Sequence, residues 1–114
     1  MSQSPGQRRL TPSKSKDPST HGLLFDHQRQ EARLAGKGLG LTPKEFDVLV
    51  LLASMPGRVF WREEIASSLW KGGDRVQPHT IDVHVARLRK KLVAAGLPHA
   101  IKTVHGVGYR FLEG

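Results

Sequence analysis

The sequence predicts an α+β domain in which a small antiparallel sheet, three helices and a closing β-hairpin follow one another along the chain. Three observations carry this. A capped and almost wholly apolar helix starts at Leu41-Thr42-Pro43-Lys44-Glu45-Phe46. A basic amphipathic helix occupies Pro78 to Leu92, PHTIDVHVARLRKKL. Two β-rich runs, Ile101 to His105 and Tyr109 to Leu112, flank Gly106-Val107-Gly108 and read as a hairpin.

With 114 residues the chain is sized for one domain and one modest core. Its formal net charge of +8 favours a polyanionic partner, of which nucleic acid is the commonest. It has no cysteine, so disulfides and thiolate metal sites are excluded and a reducing, cytoplasmic setting is expected. The longest apolar run, Val48 to Ala53, falls far short of the ~18 residues that a membrane span needs, and no membrane association is expected.

Residues 1–21, MSQSPGQRRLTPSKSKDPSTH, are rich in Ser, Pro, Lys and Arg and hold one large apolar residue, Leu10, after Met1. They cannot bury enough surface to offset their ordering entropy, and we expect a disordered tail or linker. The folded domain is expected over 22–114. Its first strands are Leu23 to Phe25, Glu31 to Leu34 and Gly38 to Leu41, with Ala35-Gly36-Lys37-Gly38 supplying the glycines of a hairpin turn.

Thr42 then reads as an N-cap with Pro43 in the first helical position. Glu45 completes a capping box, and Leu41 with Phe46 forms a hydrophobic staple. This helix, running to Leu52 or Ser54, is expected to be the buried centre, and Met55-Pro56-Gly57 ends it. Val59-Phe60 is a short extended piece. Arg62 to Trp70 forms the second helix, with Trp61, Ile65 and Leu69 at core spacing. Lys71 to Gln77 is a polar loop.

In the basic helix Ile81, Val85, Leu88 and Leu92 line one apolar stripe. Thr80, His84, Arg87 and Lys91 line a second, bordered by Val83, with Arg89 and Lys90 on the flanks. Guanidinium reads guanine edges, a hydroxyl or imidazole holds phosphate, and valine touches a thymine methyl. Taken alone, the helix is equally an amphipathic helix with a solvated basic face. It stops near Ala95-Gly96, before Pro98. A helix–loop–helix unit followed by a hairpin is a winged helix-turn-helix, whose second helix enters the major groove while the hairpin reaches the minor groove or the backbone.

Other chemistry finds little support. There is no nucleophile elbow, Glu63-Glu64 reads as charge at a helix start, and Gly106-Val107-Gly108 lacks the strand-then-helix setting of a dinucleotide loop. His79 and His84 are five apart with no acidic or thiol partner nearby, so no metal and no cofactor is expected. The rival class is a winged-helix protein-interaction module that uses its basic helix on an acidic partner. Clustering of Arg87, Arg89, Lys90 and Lys91 on one helix argues for nucleic acid.

Four stretches in one register resemble the OmpR/PhoB-type DNA-binding domain of bacterial response regulators. They are Thr42-Pro43-x-Glu45-Phe46-x-x-Leu49; Arg62-Glu63; Thr80-Ile81-Asp82-Val83-His84-Val85-x-Arg87-Leu88-Arg89-Lys90-x-Leu92; and Gly106-Val107-Gly108-Tyr109-Arg110-Phe111. The resemblance implies a winged helix with an N-terminal sheet of about four strands, output from a two-component phosphorelay, and control of transcription. It implies a direct-repeat operator in double-stranded DNA bound as a homodimer by a domain that is a monomer alone. It also implies an upstream receiver domain, which this chain does not contain; we read the chain as an excised output domain. The loop Lys71, Gly72, Gly73, Asp74 and Arg75 matches the segment that contacts RNA polymerase or a neighbouring protomer. Thr80, His84 and Arg89 match phosphate-contacting positions, Val83 and Arg87 base-contacting ones, and Thr103 and Tyr109 the hairpin's approach to the backbone. Lys91 joins the expected DNA-binding set from the polar stripe, and His105 joins it from the wing.

The chain also departs from the family's pattern. His79, Ala86 and His105 stand where basic residues are frequent, and each removes a full charge at neutral pH. Phosphate anchoring should therefore be weaker, or should strengthen as pH falls toward the ordinary histidine value of ~6.5. Trp61 replaces a Ser or Thr cap, so the second helix should start less crisply. No first strand is evident before Gly22, so the sheet should be one strand short.

Overall fold

The computed structural model describes residues 21–70 and 76–112. Three strands open the fold: β1 (Leu23–Asp26), β2 (Glu31–Leu34) and β3 (Lys37–Gly38), paired antiparallel in the order β1-β2-β3. At the β2–β3 connection, Leu34 pairs with Lys37 across Ala35 and Gly36, both at positive φ (53° and 82°). That is the backbone of a two-residue hairpin turn whose twist matches the strands. The third strand was expected over Gly38 to Leu41 and instead lies at Lys37–Gly38. Leu39 gives its N–H to Ala32 and sinks into the core, and Gly40 (φ 69°) then turns the chain away. Among the described residues the first sheet has three strands, one fewer than the family's usual number.

The expected capping box forms at the start of α1 (Pro43–Ala53). Thr42 Oγ1 accepts from the Glu45 amide at 3.2 Å, and Glu45 Oε1 accepts from the Thr42 amide at 3.0 Å. Phe46, Val48, Leu49 and Leu52 of α1 are at most 2% exposed, which makes this helix the centre of the core. Strand β4 (Val59–Trp61) leads directly into α2 (Arg62–Leu69). Helix α3 (Pro78–Ala95) follows and ends on Gly96 in the left-handed conformation (φ 102°), where glycine carries no Cβ penalty. Its apolar stripe of Ile81, Val85, Leu88 and Leu92 is buried against α1 and α2.

Strands β5 (Ile101–Val104) and β6 (Gly108–Phe111) form the hairpin. Its sheet has the order β4-β6-β5, so the short piece before α2 is the third strand of the wing. Trp61 pairs with Gly108, and a Cβ at Gly108 would stand 1.9 Å from the Phe60 carbonyl oxygen. Only glycine fits where β4 presses on the wing. Trp61 was expected at core spacing with Ile65 and Leu69. It belongs to β4 instead, with Phe60 4% and Trp61 53% exposed, because alternate strand residues point to opposite faces.

The two ends of the domain meet, with His21 Nε2 3.2 Å from the Leu112 carbonyl and the His21 ring 5.7 Å from that of Phe111. The described helices include none long and apolar enough to cross a membrane.

One ion pair crosses the helical layer. Lys91 Nζ on α3 donates to Glu45 Oε1 at 2.6 Å and to the Gly40 carbonyl at 2.9 Å. Burial alone would push the Glu45 carboxyl up. The Lys91 and Thr42 hydrogen bonds outweigh it and hold the carboxyl below its ordinary value. A lowered folded value means stability that is present above the unfolded value and lost as pH falls through the folded one. We therefore expect the urea midpoint to drop below about pH 4.5, and to drop less in Glu45→Gln. Lys91→Met, which strands a carboxylate only 2% exposed, should cost about 2–3 kcal/mol at pH 7 in urea unfolding, the low side for a buried pair because Lys91 is one-third exposed. A loss under 0.5 kcal/mol would show that the pair holds nothing.

Candidate nucleic-acid interface

The cations of α3 divide into two groups. Lys91 is engaged inside the protein as described. Arg89 is also engaged: its Nε and Nη2 donate to the Ile101 carbonyl at 3.2 and 3.1 Å, and Nη2 donates to Thr103 Oγ1 at 2.6 Å. Arg87 and Lys90 are exposed and make no hydrogen bond or ion pair among the described residues. Thr80 and Val83 are half-buried and His79 is exposed, all on the N-terminal half of α3.

Asp82 anchors that half. Its Oδ1 accepts from Arg62 Nε at 2.8 Å and from the Tyr109 hydroxyl at 2.5 Å, joining α2, α3 and β6 through one oxygen. Burial raises the Asp82 carboxyl, but the Tyr109 and Arg62 hydrogen bonds prevail and it sits below its ordinary value. Tyr109 is 4% exposed, and burial followed by its bond to Asp82 pushes the phenol above its ordinary value. The guanidinium of Arg62 lies 5.3 Å from the Tyr109 ring centre and that of Arg89 5.4 Å from it, each a cation–π contact.

His84 lies in the middle of the same face with its ring 5.4 Å from that of Trp70, the C-cap of α2. Lys44 Nζ sits 4.6 Å from the Trp70 ring centre and donates to the Leu69 carbonyl. His84 Nδ1 is buried without a hydrogen-bond partner among the described residues. A bare acceptor nitrogen costs less there than a bare N–H, so the proton belongs on Nε2. Burial pushes the imidazole below its ordinary value; Arg87 and Lys44 push the same way and Glu45 opposes them. His84 is thus a neutral donor at pH 7.

Set against the expected set, Thr80, Val83, His84 and Arg87 share one outward face of α3, and His105 is exposed in the wing turn. Lys91, Arg89, Thr103 and Tyr109 are drawn into the protein's own hydrogen bonds. The sequence alone cannot show this, because the acceptors lie 12 to 51 residues away. Lys71, Gly72, Gly73, Asp74 and Arg75 lie outside the described residues. Two contributors escaped the sequence reading. Trp70 entered that reading only as the end of the second helix, yet it packs half-buried at the edge of the core beside His84. Arg62 was read only as part of a motif, although the lone carboxylate of Asp82 on a basic helix signals a cationic partner.

The family described as "Transcriptional regulatory protein, C terminal" matches residues 36–111. The chain belongs to this family. It is 39% identical over 97 residues to the transcriptional regulatory protein SrrA of Staphylococcus aureus, covering 83% of this chain and 36% of that protein. The chain therefore spans about a third of the length of this curated relative. Among solved structures it is similar to the DNA-binding domain of CpxR from E. coli, at 38% identity and TM-score 0.69, covering 81% of this chain and 91% of that one. It is also similar to the DNA-binding domain of the response regulator AdeR in complex with an intercistronic region, at 28% identity and TM-score 0.71, covering 82% and 95%. This is a family of transcription regulators, and no catalytic site is called for.

Two expectations separate the engaged from the free cations. Arg89→Ala should speed amide exchange along β5 and β6 while Arg87→Ala leaves stability within about 0.5 kcal/mol, both read by hydrogen exchange and urea unfolding. Equal effects would show that Arg89 does not hold the wing. For His84 the lowered folded value means stability that is present above ~6.5 and lost as pH falls through the folded value, so the Tm should decline from pH 7 to pH 5.5 and His84→Gln should flatten that part of the curve.

Proposed function

We propose that the domain binds double-stranded DNA in a sequence-specific way, with α3 in the major groove and the wing at the adjacent minor groove. The observation that carries this reading is the division of cations on α3. Arg89 and Lys91 are satisfied within the protein, whereas Arg87, on the face bearing Thr80, Val83 and His84, and Lys90 at its edge are exposed and make no hydrogen bond or ion pair among the described residues. A merely solvated basic face gives no reason for that sorting. Arg87 reads base edges, and Val83 meets a thymine methyl. Thr80 and His84 donate to phosphate, His84 through Nε2. Trp70 borders the same phosphate track. His105 meets the minor groove from the wing turn.

Arg89, Thr103, Tyr109 and Lys91 act at one remove on this reading. They hold the wing and α1 against α3 and make no primary contact with DNA. The relatives support the wider setting. The domain serves as the cytoplasmic output of a two-component response regulator and pairs on a direct repeat. The loop 71–75 faces RNA polymerase or the neighbouring copy.

Arg87→Ala should weaken binding to a cognate direct-repeat duplex by about 1–3 kcal/mol and scrambled duplex much less, measured by fluorescence anisotropy. Equal losses on both would make Arg87 a backbone contact. The slope of log K against log salt should be about −2 to −4 per bound copy, from the unpaired cations Arg87, Lys90, Lys102 and Arg110. A slope steeper than that would mean that cations beyond these four also release counterions.

A further inference from the structure

Trp61 has no structural duty that explains it. The indole is 53% exposed on the outer face of the wing sheet. It stands at the N-cap of α2, where an indole cannot accept a hydrogen bond, and the cap is completed by Glu64 accepting from the Trp61 backbone amide at 3.1 Å. Its cross-strand neighbour is Gly108, so one edge of the ring borders bare backbone at the wing turn. The Arg62 amide donates to the Val107 carbonyl at 3.4 Å, which holds this corner to the turn.

Strand register defines what else lies on that face. Trp61, Gly108 and Val104 form one cross-strand row; Val59, Arg110 and Lys102 form the next. Lys102 and Arg110 make no hydrogen bond or ion pair among the described residues. The opposite face, with Phe60, Tyr109, Ile101 and Phe111, is buried. The outer face of the wing sheet thus presents one indole beside two unpaired cations. Arg62, through Asp82, ties the same corner to the N-terminal half of α3.

We propose that Trp61, with Arg110 and Lys102 in the neighbouring cross-strand row, is an additional DNA contact that packs on the sugar–phosphate backbone beside the wing turn. An indole offers an apolar face and a single N–H donor. A deoxyribose and its phosphate offer an apolar ring and acceptor oxygens, which complement it. Lys102 and Arg110 supply the charge complementarity. This contact compensates for a wing turn, His105-Gly106-Val107, that carries no fixed positive charge. The proposal rests on the DNA-binding reading above.

The test is Trp61→Ser in the whole chain, measured on a single half-site duplex and on a two-half-site duplex. Serine supplies the missing N-cap oxygen, so thermal stability should hold or rise while single half-site affinity falls at least about fivefold. Tryptophan emission of the wild-type chain should quench more on titration with the single half-site than that of Trp61→Ser, the difference reporting Trp61. Wild-type affinity with an unchanged emission spectrum overturns the contact. A loss confined to the two-half-site duplex also overturns it and assigns the face to a second copy. If the wild-type chain binds no duplex at all, the DNA-binding reading itself fails, which is a different result from binding that Trp61→Ser leaves intact.

Discussion

One carboxylate oxygen fixes the geometry on which the rest depends. Asp82 Oδ1 receives Arg62 from α2 and Tyr109 from β6 while sitting on α3. A winged helix is useful only if its hairpin and its exposed helix keep a set separation, because two grooves of a duplex are a fixed distance apart. The apolar stripe of α3 and the buried inner face of the wing sheet seat both elements on one core, but apolar packing is non-directional. The Asp82 bonds, with Arg89 5.4 Å from the Tyr109 ring centre and gripping the Ile101 carbonyl and Thr103, add the directional constraint. Partial burial makes these bonds stronger than surface contacts and also makes an unpartnered member costly.

The same logic governs where positive charge is used. Net charge says that a polyanion is favoured, but a cation that already holds a carboxylate or a carbonyl has less to give. Lys91 offsets the buried Glu45, Arg62 meets Asp82, and Arg58 pairs with Glu64. Among the described residues, Arg87 and Lys90 of α3 and Lys102 and Arg110 of the wing sheet make no hydrogen bond or ion pair. On the proposed reading, the neutral groups Thr80, Val83 and His84 of α3 and Trp61 of the wing sheet select by shape and donor position.

How much of this was legible in the sequence follows from how local each feature is. The capping box needs only Thr42 and Glu45, and the two stripes of α3 need only a 3.6-residue period, so both are visible in a short window. The Gly96 stop and the wing hairpin are local in the same way. The pairing of β4 with β6 joins residues about fifty apart, and no spacing rule announces it. Without that pairing Trp61 reads as the first turn of an apolar helix face; with it, Trp61 is a strand residue pointing outward. The engagement of Arg89 and Lys91 is hidden from the sequence for the same reason, since their acceptors arrive only when the chain has folded.

On the proposed DNA-binding reading, the neutral residues on that side are parts of one arrangement. Histidines at 79 and 105 and alanine at 86 lower the charge of the tract, and a lowered value keeps His84 uncharged as well. A weaker phosphate anchor shortens non-specific residence more than specific residence, because non-specific binding is nearly all electrostatic whereas base contacts are unaffected. A tract that gives up peripheral charge but keeps Arg87 and Val83 on the groove side therefore trades affinity for discrimination. The exposed indole at Trp61 fits that trade, since an apolar contact with a sugar adds affinity without adding a counterion-release term. On that reading specificity comes from rigid placement of a few unpaired groups, and that rigidity goes back to the bonds gathered on Asp82.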